Sequence, residues 1–137
     1  MNMSMAVASS APDPRYSVLN IPLNAMTLPE LVAQMERWIQ SGDQGRCITF
    51  ANVHVVMEAQ HDLTFHNILT DERAFNVPDG MPLVWLGRLR GIRLKRRLYG
   101  PEVMHAFCAS SARKGYRNFF YGGAEGVPEL LAAKLTR

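Results

Sequence analysis

Cysteine is scarce in this chain: only Cys47 and Cys108 occur in 137 residues, each beside apolar neighbours. Two isolated thiols argue against a disulfide framework and fit reduced, buried side chains in a cytoplasmic protein. Long hydrophobic runs are missing too, since no stretch approaches the ~20 continuous apolar residues that a membrane span needs. Met1–Pro14 contains Ala, Ser and Pro but neither a basic start nor an apolar core, which argues against a secretory signal peptide. It reads as a disordered lead to one α/β domain covering residues 15–137. There is no internal repeat and no low-complexity segment. What is present, 47% hydrophobic and 20% charged residues with a net charge of +3, suffices for one globular domain with a real core.

Apolar patterning predicts strands alternating with helices. Tyr16–Ile21 is a short strand candidate, and Thr27-x-x-Glu30 is a capping box opening a helix with the stripe Leu28, Leu31, Met35, Trp38 and Ile39. Ser41-Gly42-Asp43 ends that helix. Arg46–Phe50 reads as a buried strand, Asn52 as the N-cap of a helix running to about Gln60, and Ala74–Val77 as a second buried strand. A helix is expected over Met81–Arg90 with Pro82, Trp85, Leu86 and Leu89 on its inner face. Another spans Glu102–Arg113 with Val103, Met104, Phe107 and Cys108 turned inward, stopped by Gly115. Asn118–Tyr121 is expected to be a strand running into Gly122-Gly123. The alternation argues for a Rossmann-like parallel sheet with flanking helices. The final helical pattern, Pro128–Leu135, has no glycine cap or closing strand after it, so the sheet is expected to be incomplete at the C-terminus.

Three residues at element ends draw attention to a site. Asp79 follows the apolar run Phe75–Val77 at a Pro-Asp-Gly corner, where open α/β sheets place ligands, although Asp before Gly is also an ordinary turn residue. Asn52 ends the other apolar run and has the competing role of helix cap. Arg97 closes a basic segment with Arg88, Arg90, Arg93, Lys95 and Arg96, and precedes Gly100-Pro101 at the start of a helix. A guanidinium suits phosphate through paired hydrogen bonds, and helix N-termini favour anions. For Arg88, Arg90 and Lys95 a solvated basic loop is the better reading. His54, Glu58 and His61 fall near one helical face, and a solvated face accounts for them better than a metal site does.

The ordered set Asn52, Pro78-Asp79-Gly80, Arg97-x-x-Gly100-Pro101 and Lys114-Gly115-Tyr116-Arg117-x-Phe119-Phe120-x-Gly122-Gly123 resembles the WecG/TagA/CpsF glycosyltransferases from about Tyr16 onward. The resemblance implies transfer of a sugar, N-acetylmannosamine, glucose or similar, from a UDP-sugar to a polyprenyl-diphosphate-linked saccharide, in exopolysaccharide or cell-surface polymer synthesis. It makes Asp79 the matching position of the proposed base and places Asn52 and Arg97 in the active site. Relatives commonly carry a small residue two positions before the asparagine, where this chain has Phe50; Thr49 is adjacent, and Thr49, Tyr99, Gly100 and Glu102 are substrate-binding candidates. Gly122 and Gly123 are expected to line the nucleotide part of the donor pocket. The resemblance implies single displacement with inversion, and the absence of an Asp-x-Asp signature points to a mechanism without a metal or other cofactor.

The implied location is the inner face of the cytoplasmic membrane, by peripheral contact, with homo-oligomer formation allowed for. The chain looks like an N-terminal portion, as members of the family extend further. Two competing readings are an inactive shortened form and a basic nucleic-acid-binding module using phosphate contacts. Against the latter, no aromatic residue interleaves the run Arg88–Arg97, so no nucleic-acid partner is expected.

Overall fold

A computed structural model describes residues 14–136. The chain forms two compact units, one built from residues up to Thr27 and Gly45–Arg97, the other from Leu28–Gln44 and the residues after Arg97. Its elements in chain order are β1 (Arg15–Val18), β2 (Ile21–Asn24), α1 (Leu28–Ser41), β3 (Cys47–Ala51), α2 (Val53–His61), α3 (Leu63–Thr70), β4 (Ala74–Pro78), α4 (Met81–Leu89), α5 (Gly100–Lys114) and α6 (Val127–Leu135).

In the first unit, β3 and β4 pair in parallel from Cys47↔Ala74 to Ala51↔Pro78, connected through α2 and α3. A parallel pair requires such a crossover, and with α4 against β4 this is the expected Rossmann-like α/β arrangement. β1 and β2 form a separate antiparallel pair. The single strand expected over Tyr16–Ile21 is thus a hairpin, turning at Leu19 and Asn20, both with positive φ. A two-residue turn of that kind matches the twist of the flanking strands, and nothing in the apolar pattern marks Leu19 as its first residue. Of the segment read as a lead, only Pro14 lies within the described residues; its carbonyl accepts a hydrogen bond from the Ala25 N–H at 2.9 Å.

Ile21, Leu23, Leu69, Val77, Leu83 and Val84 form the buried centre of this unit, each contributing about 1.5–3 kcal/mol of transfer free energy. β3 is more open than expected: Cys47 is exposed and Ile48, Thr49 and Phe50 are only half-buried, because among the described residues β3 has β4 alone as strand partner. The buried-thiol reading therefore fails for Cys47; Cys108 is half-buried, and burial raises its thiol pKa. α4 buries Leu83, Val84 and Gly87 and turns Met81, Trp85, Leu86 and Leu89 outward, so the expected inner face is the outer one. Gly87 explains the choice. A Cβ there would lie 2.8 Å from Leu94 Cδ1 and 3.1 Å from the Tyr16 ring, so the smallest residue of the helix faces the tightest packing. Helix α3 was not anticipated, yet its start carries a legible signal: Asp62 Oδ1 accepts from the Phe65 N–H at 3.0 Å.

In the second unit, α1 packs against α5. Lys114 Nζ donates to Glu36 Oε2 at 2.6 Å and Ser110 Oγ donates to Glu36 Oε1. These two hydrogen bonds hold the Glu36 carboxyl below its ordinary range. Of the expected α1 stripe, Leu31 is buried, Leu28, Met35 and Trp38 are partly covered, and Ile39 is exposed. On α5, Val103 is buried while Met104, Phe107 and Cys108 are half-buried, and Gly115 ends the helix in the left-handed conformation. Asn118–Tyr121 is not a strand. Strand structure needs a partner for its backbone groups, and Phe119 and Tyr121 are 90% and 95% exposed instead of pleated into a core.

Candidate active site

The first unit brings together Asn52 and Asp79, and the cause is strand register. Ala51 pairs with Pro78, so both parallel strands end level and the next residue of each stands at the same sheet edge. The Asp79 N–H donates to the Ala51 carbonyl at 2.8 Å, extending the ladder by one bond and fixing the backbone of the Pro-Asp-Gly corner. Gly80 runs close to Asn52: a Cβ on Gly80 would sit 3.7 Å from Asn52 Cβ. Asn52 Oδ1 accepts from the Val55 N–H at 3.0 Å, so the expected capping role is real.

Asp79 sits in an unusual electrostatic setting. Its side chain is 19% exposed, and Oδ1 is buried without a hydrogen-bond partner. Arg97 Nη1 lies 3.8 Å from that oxygen, near enough for charge attraction and too far for a hydrogen bond. Burial raises the carboxyl pKa, and the Arg97 charge opposes part of that rise. The result is a carboxylate more basic than usual, held near a half-exposed guanidinium. Such a group is suited to accept a proton from a substrate hydroxyl.

The other candidates are placed differently. Thr49 pairs with Asn76 inside the sheet, two residues before the end of β3, and is not drawn into the Asn52–Asp79 corner. In the second unit, Tyr99 occupies the N-cap position of α5 without a side-chain cap bond; Gly100 begins the helix and Glu102 lies in its first turn. Gly122 and Gly123 have φ of 101° and 82°, and a Cβ at Gly122 would meet nothing within 4 Å, so positive φ there reflects the turn. Arg88 departs from the solvated-loop reading. Its Nε donates to the Leu94 carbonyl at 2.7 Å and its Nη2 to the Lys95 carbonyl at 2.5 Å, clamping the loop that follows α4. Among the described residues, no group of three His, Cys, Asp or Glu side chains is arranged to hold a metal ion.

Two supporting residues escaped the sequence reading. Asn76 is fully buried in β4; its Nδ2 donates to the carbonyls of Pro22 at 2.9 Å and Leu69 at 2.7 Å, while Asn24 Nδ2 donates to the Asn76 carbonyl at 3.1 Å. These amides tie β2 and α3 to the strand that carries Asp79. The available signal was an amide inside the apolar run Phe75–Val77, where a buried polar group must find partners. Tyr16 is the other. Its hydroxyl donates to the Leu83 carbonyl at 2.8 Å, and burial pushes its pKa to about 12 against the opposing pull of Arg90.

A carboxylate and an amide thus stand at the carboxyl ends of adjacent parallel strands, the edge at which open α/β folds place their ligands. The chain belongs to the Glycosyl transferase WecG/TagA/CpsF family, whose model matches residues 16–137. It is 25% identical over 120 residues to the N-acetylglucosaminyldiphosphoundecaprenol N-acetyl-beta-D-mannosaminyltransferase of Bacillus subtilis (strain 168), an alignment covering 88% of this chain and 46% of that protein. To the protein of the same description from Bacillus spizizenii (strain ATCC 23059 / NRRL B-14472 / W23) it is 28% identical over 100 residues, covering 73% of this chain and 38% of the relative. The chain thus spans less than half the length of these curated relatives.

Proposed function

We propose that this chain carries the catalytic base of an inverting glycosyltransferase that moves a sugar, N-acetylmannosamine or a similar hexose, from a UDP-sugar to a polyprenyl-diphosphate-linked saccharide. The observation that carries the reading is the Asp79 carboxylate, raised in basicity by burial, standing beside Asn52 at the level ends of β3 and β4 in a member of this family. Both relatives are described as N-acetyl-beta-D-mannosaminyltransferases acting on N-acetylglucosaminyldiphosphoundecaprenol, which supports the choice of substrate classes.

In the proposed reaction, an acceptor hydroxyl oxygen attacks the anomeric carbon of the donor sugar from the face opposite the diphosphate. Asp79 takes the hydroxyl proton as the new C–O bond forms. The bond from the anomeric carbon to the diphosphate oxygen breaks, its electron pair leaves with UDP, and the configuration inverts. Arg97 offsets the charge accumulating on the diphosphate, and Asn52 orients the corner through its cap to Val55. Tyr99, Gly100, Glu102, Gly122 and Gly123 are assigned to donor contacts and Thr49 to a lesser substrate contact; the chemistry as written uses no metal. The reaction belongs at the inner face of the cytoplasmic membrane, where a lipid-linked acceptor is presented, in cell-surface polymer synthesis.

The test is transfer from radiolabelled UDP-N-acetylmannosamine to a short-chain lipid-linked N-acetylglucosamine diphosphate, with the chain as it stands and with Asp79→Asn. Labelled product that disappears in the variant supports the proposal. Donor binding without any transfer by the unaltered chain favours the inactive-form reading instead.

A further inference from the structure

Arg88 differs from the other cations of its segment in what its guanidinium holds. Nε donates to the Leu94 carbonyl at 2.7 Å and Nη2 to the Lys95 carbonyl at 2.5 Å, so one planar fork grips two successive peptide units. A cation in the last turn of a helix commonly reaches that helix's own final carbonyls. Arg88 instead reaches six and seven residues ahead, into the loop. The same loop is drawn back to α4 by the Ile92 N–H, which donates to the Gly87 carbonyl at 3.0 Å, and by buried Leu94, whose Cδ1 occupies the space that a Cβ on Gly87 would need.

The loop leads to the candidate site. Arg97 follows Lys95 by two residues, a span of about 7 Å at most, so a fixed Lys95 carbonyl leaves the Arg97 backbone little freedom of position. Arg97 Nη1 lies 3.8 Å from Asp79 Oδ1, near enough for charge attraction and too far for a hydrogen bond to define the pair. The course of the backbone beneath Arg97 therefore governs the charge felt at Asp79. Among the described residues, the charge that opposes the burial-driven rise of the Asp79 carboxyl is that of Arg97, so a displaced Arg97 would let that carboxyl rise further.

We propose that Arg88 is a positioning residue, which by holding the Leu94 and Lys95 carbonyls sets the Arg97 guanidinium against Asp79. Its part in sugar transfer rests on the proposed function, with Asp79 as the base and Arg97 on the diphosphate. The coupling of Arg88 to Asp79 through Arg97 does not, and it is read without donor or acceptor. Lysine at this position would keep the positive charge but present a single ammonium where a fork of two donors is needed.

The test is the NMR titration of the Asp79 carboxyl carbon in the isotope-labelled chain, its resonance identified by its loss in Asp79→Asn. In Arg88→Lys the Asp79 midpoint should move upward from that of the parent, and UDP should bind about three- to tenfold more weakly in calorimetry. In an Arg97→Ala background, Arg88→Lys should move neither, since the group it positions is gone. Arg93→Gln removes an exposed cation from the same loop without touching the clamp, and it should leave the midpoint unmoved. Arg88 is itself exposed, so Arg88→Lys opens no cavity and should keep the circular dichroism of the parent. Four results overturn the proposal: an unmoved midpoint in Arg88→Lys, an equal shift with Arg97 absent, an equal shift in Arg93→Gln, or unfolding of Arg88→Lys, which would make Arg88 a residue of the fold alone. A midpoint that behaves as expected while UDP binding and transfer are absent upholds the coupling and sinks the proposed function. An unmoved midpoint beside Asp79-dependent transfer does the reverse.

Discussion

Replacing Asp79 with Asn should separate chemistry from folding. Oδ1 of Asp79 is buried, lacks a hydrogen bond and faces Arg97 Nη1 at 3.8 Å. Because the Arg97 side chain is half exposed, solvent screens that pair to about 0–1 kcal/mol. An unpaired buried acceptor costs about 1–3 kcal/mol, some of which persists in the amide. The two effects oppose each other, and the variant is expected to stay within about 1 kcal/mol of the parent at neutral pH. The sign with pH is defined. Burial raises the folded-state carboxyl above its unfolded value, so the folded chain binds this proton more readily, and the Asp79 contribution to stability declines as pH rises between the two values. The Asn variant lacks that titration. Urea unfolding of both proteins, followed by circular dichroism from acid to neutral pH, should therefore show the parent losing ground to the variant as pH increases. Over the same preparations, sugar transfer should fall by about 10²–10⁴-fold, the usual contribution of a general base. Undiminished transfer would remove Asp79 from the mechanism. A loss of transfer accompanied by unfolding would instead make it a structural corner residue.

Three further perturbations address the neighbouring groups. Arg97→Ala should weaken UDP binding in calorimetry by about ten- to a hundredfold, a charge-assisted hydrogen bond being worth about 1.5–3 kcal/mol, whereas Arg90→Ala should do much less; equal losses would point to a diffuse basic surface and revive the nucleic-acid reading. Asn52→Ala should cost about 0.5–2 kcal/mol through the lost Val55 cap, and Asn52→Ser should restore that stability; if transfer recovers with Ser as fully as stability does, Asn52 is a cap and nothing more. Glu36, held below the ordinary carboxyl range by Lys114 and Ser110, should contribute stability at neutral pH that is lost as pH falls through its lowered value. Glu36→Gln should flatten the acid side of the melting-temperature profile, and an unchanged profile would mean that the contact carries no net stability.

The elements that local chemistry specifies were legible in the sequence. Asn52 caps α2, Gly115 stops α5 in the left-handed region, and β3 and β4 fall on their apolar runs, because capping, positive φ and apolar clustering act over a few residues. The candidate residues Asn52, Asp79 and Arg97 could likewise be named from their places at element ends. Their mutual geometry could not. Only the register Ala51↔Pro78 sets Asn52 and Asp79 at one edge, and only packing leaves Asp79 Oδ1 buried and without a hydrogen bond. Packing also decided against periodicity twice. The α4 face richest in large apolar residues is the outer one, because Gly87 alone fits against Tyr16 and Leu94, and the apolar run Asn118–Tyr121 is not a strand, because strand structure is a property of two partners. Sequence by itself determined the elements fixed by local signals, such as the α2 cap, the α5 stop and the two apolar strands β3 and β4, and it named the candidate groups for chemistry. Tertiary structure decided which faces are covered and how basic Asp79 becomes, since burial and charge proximity arise only between residues far apart along the chain.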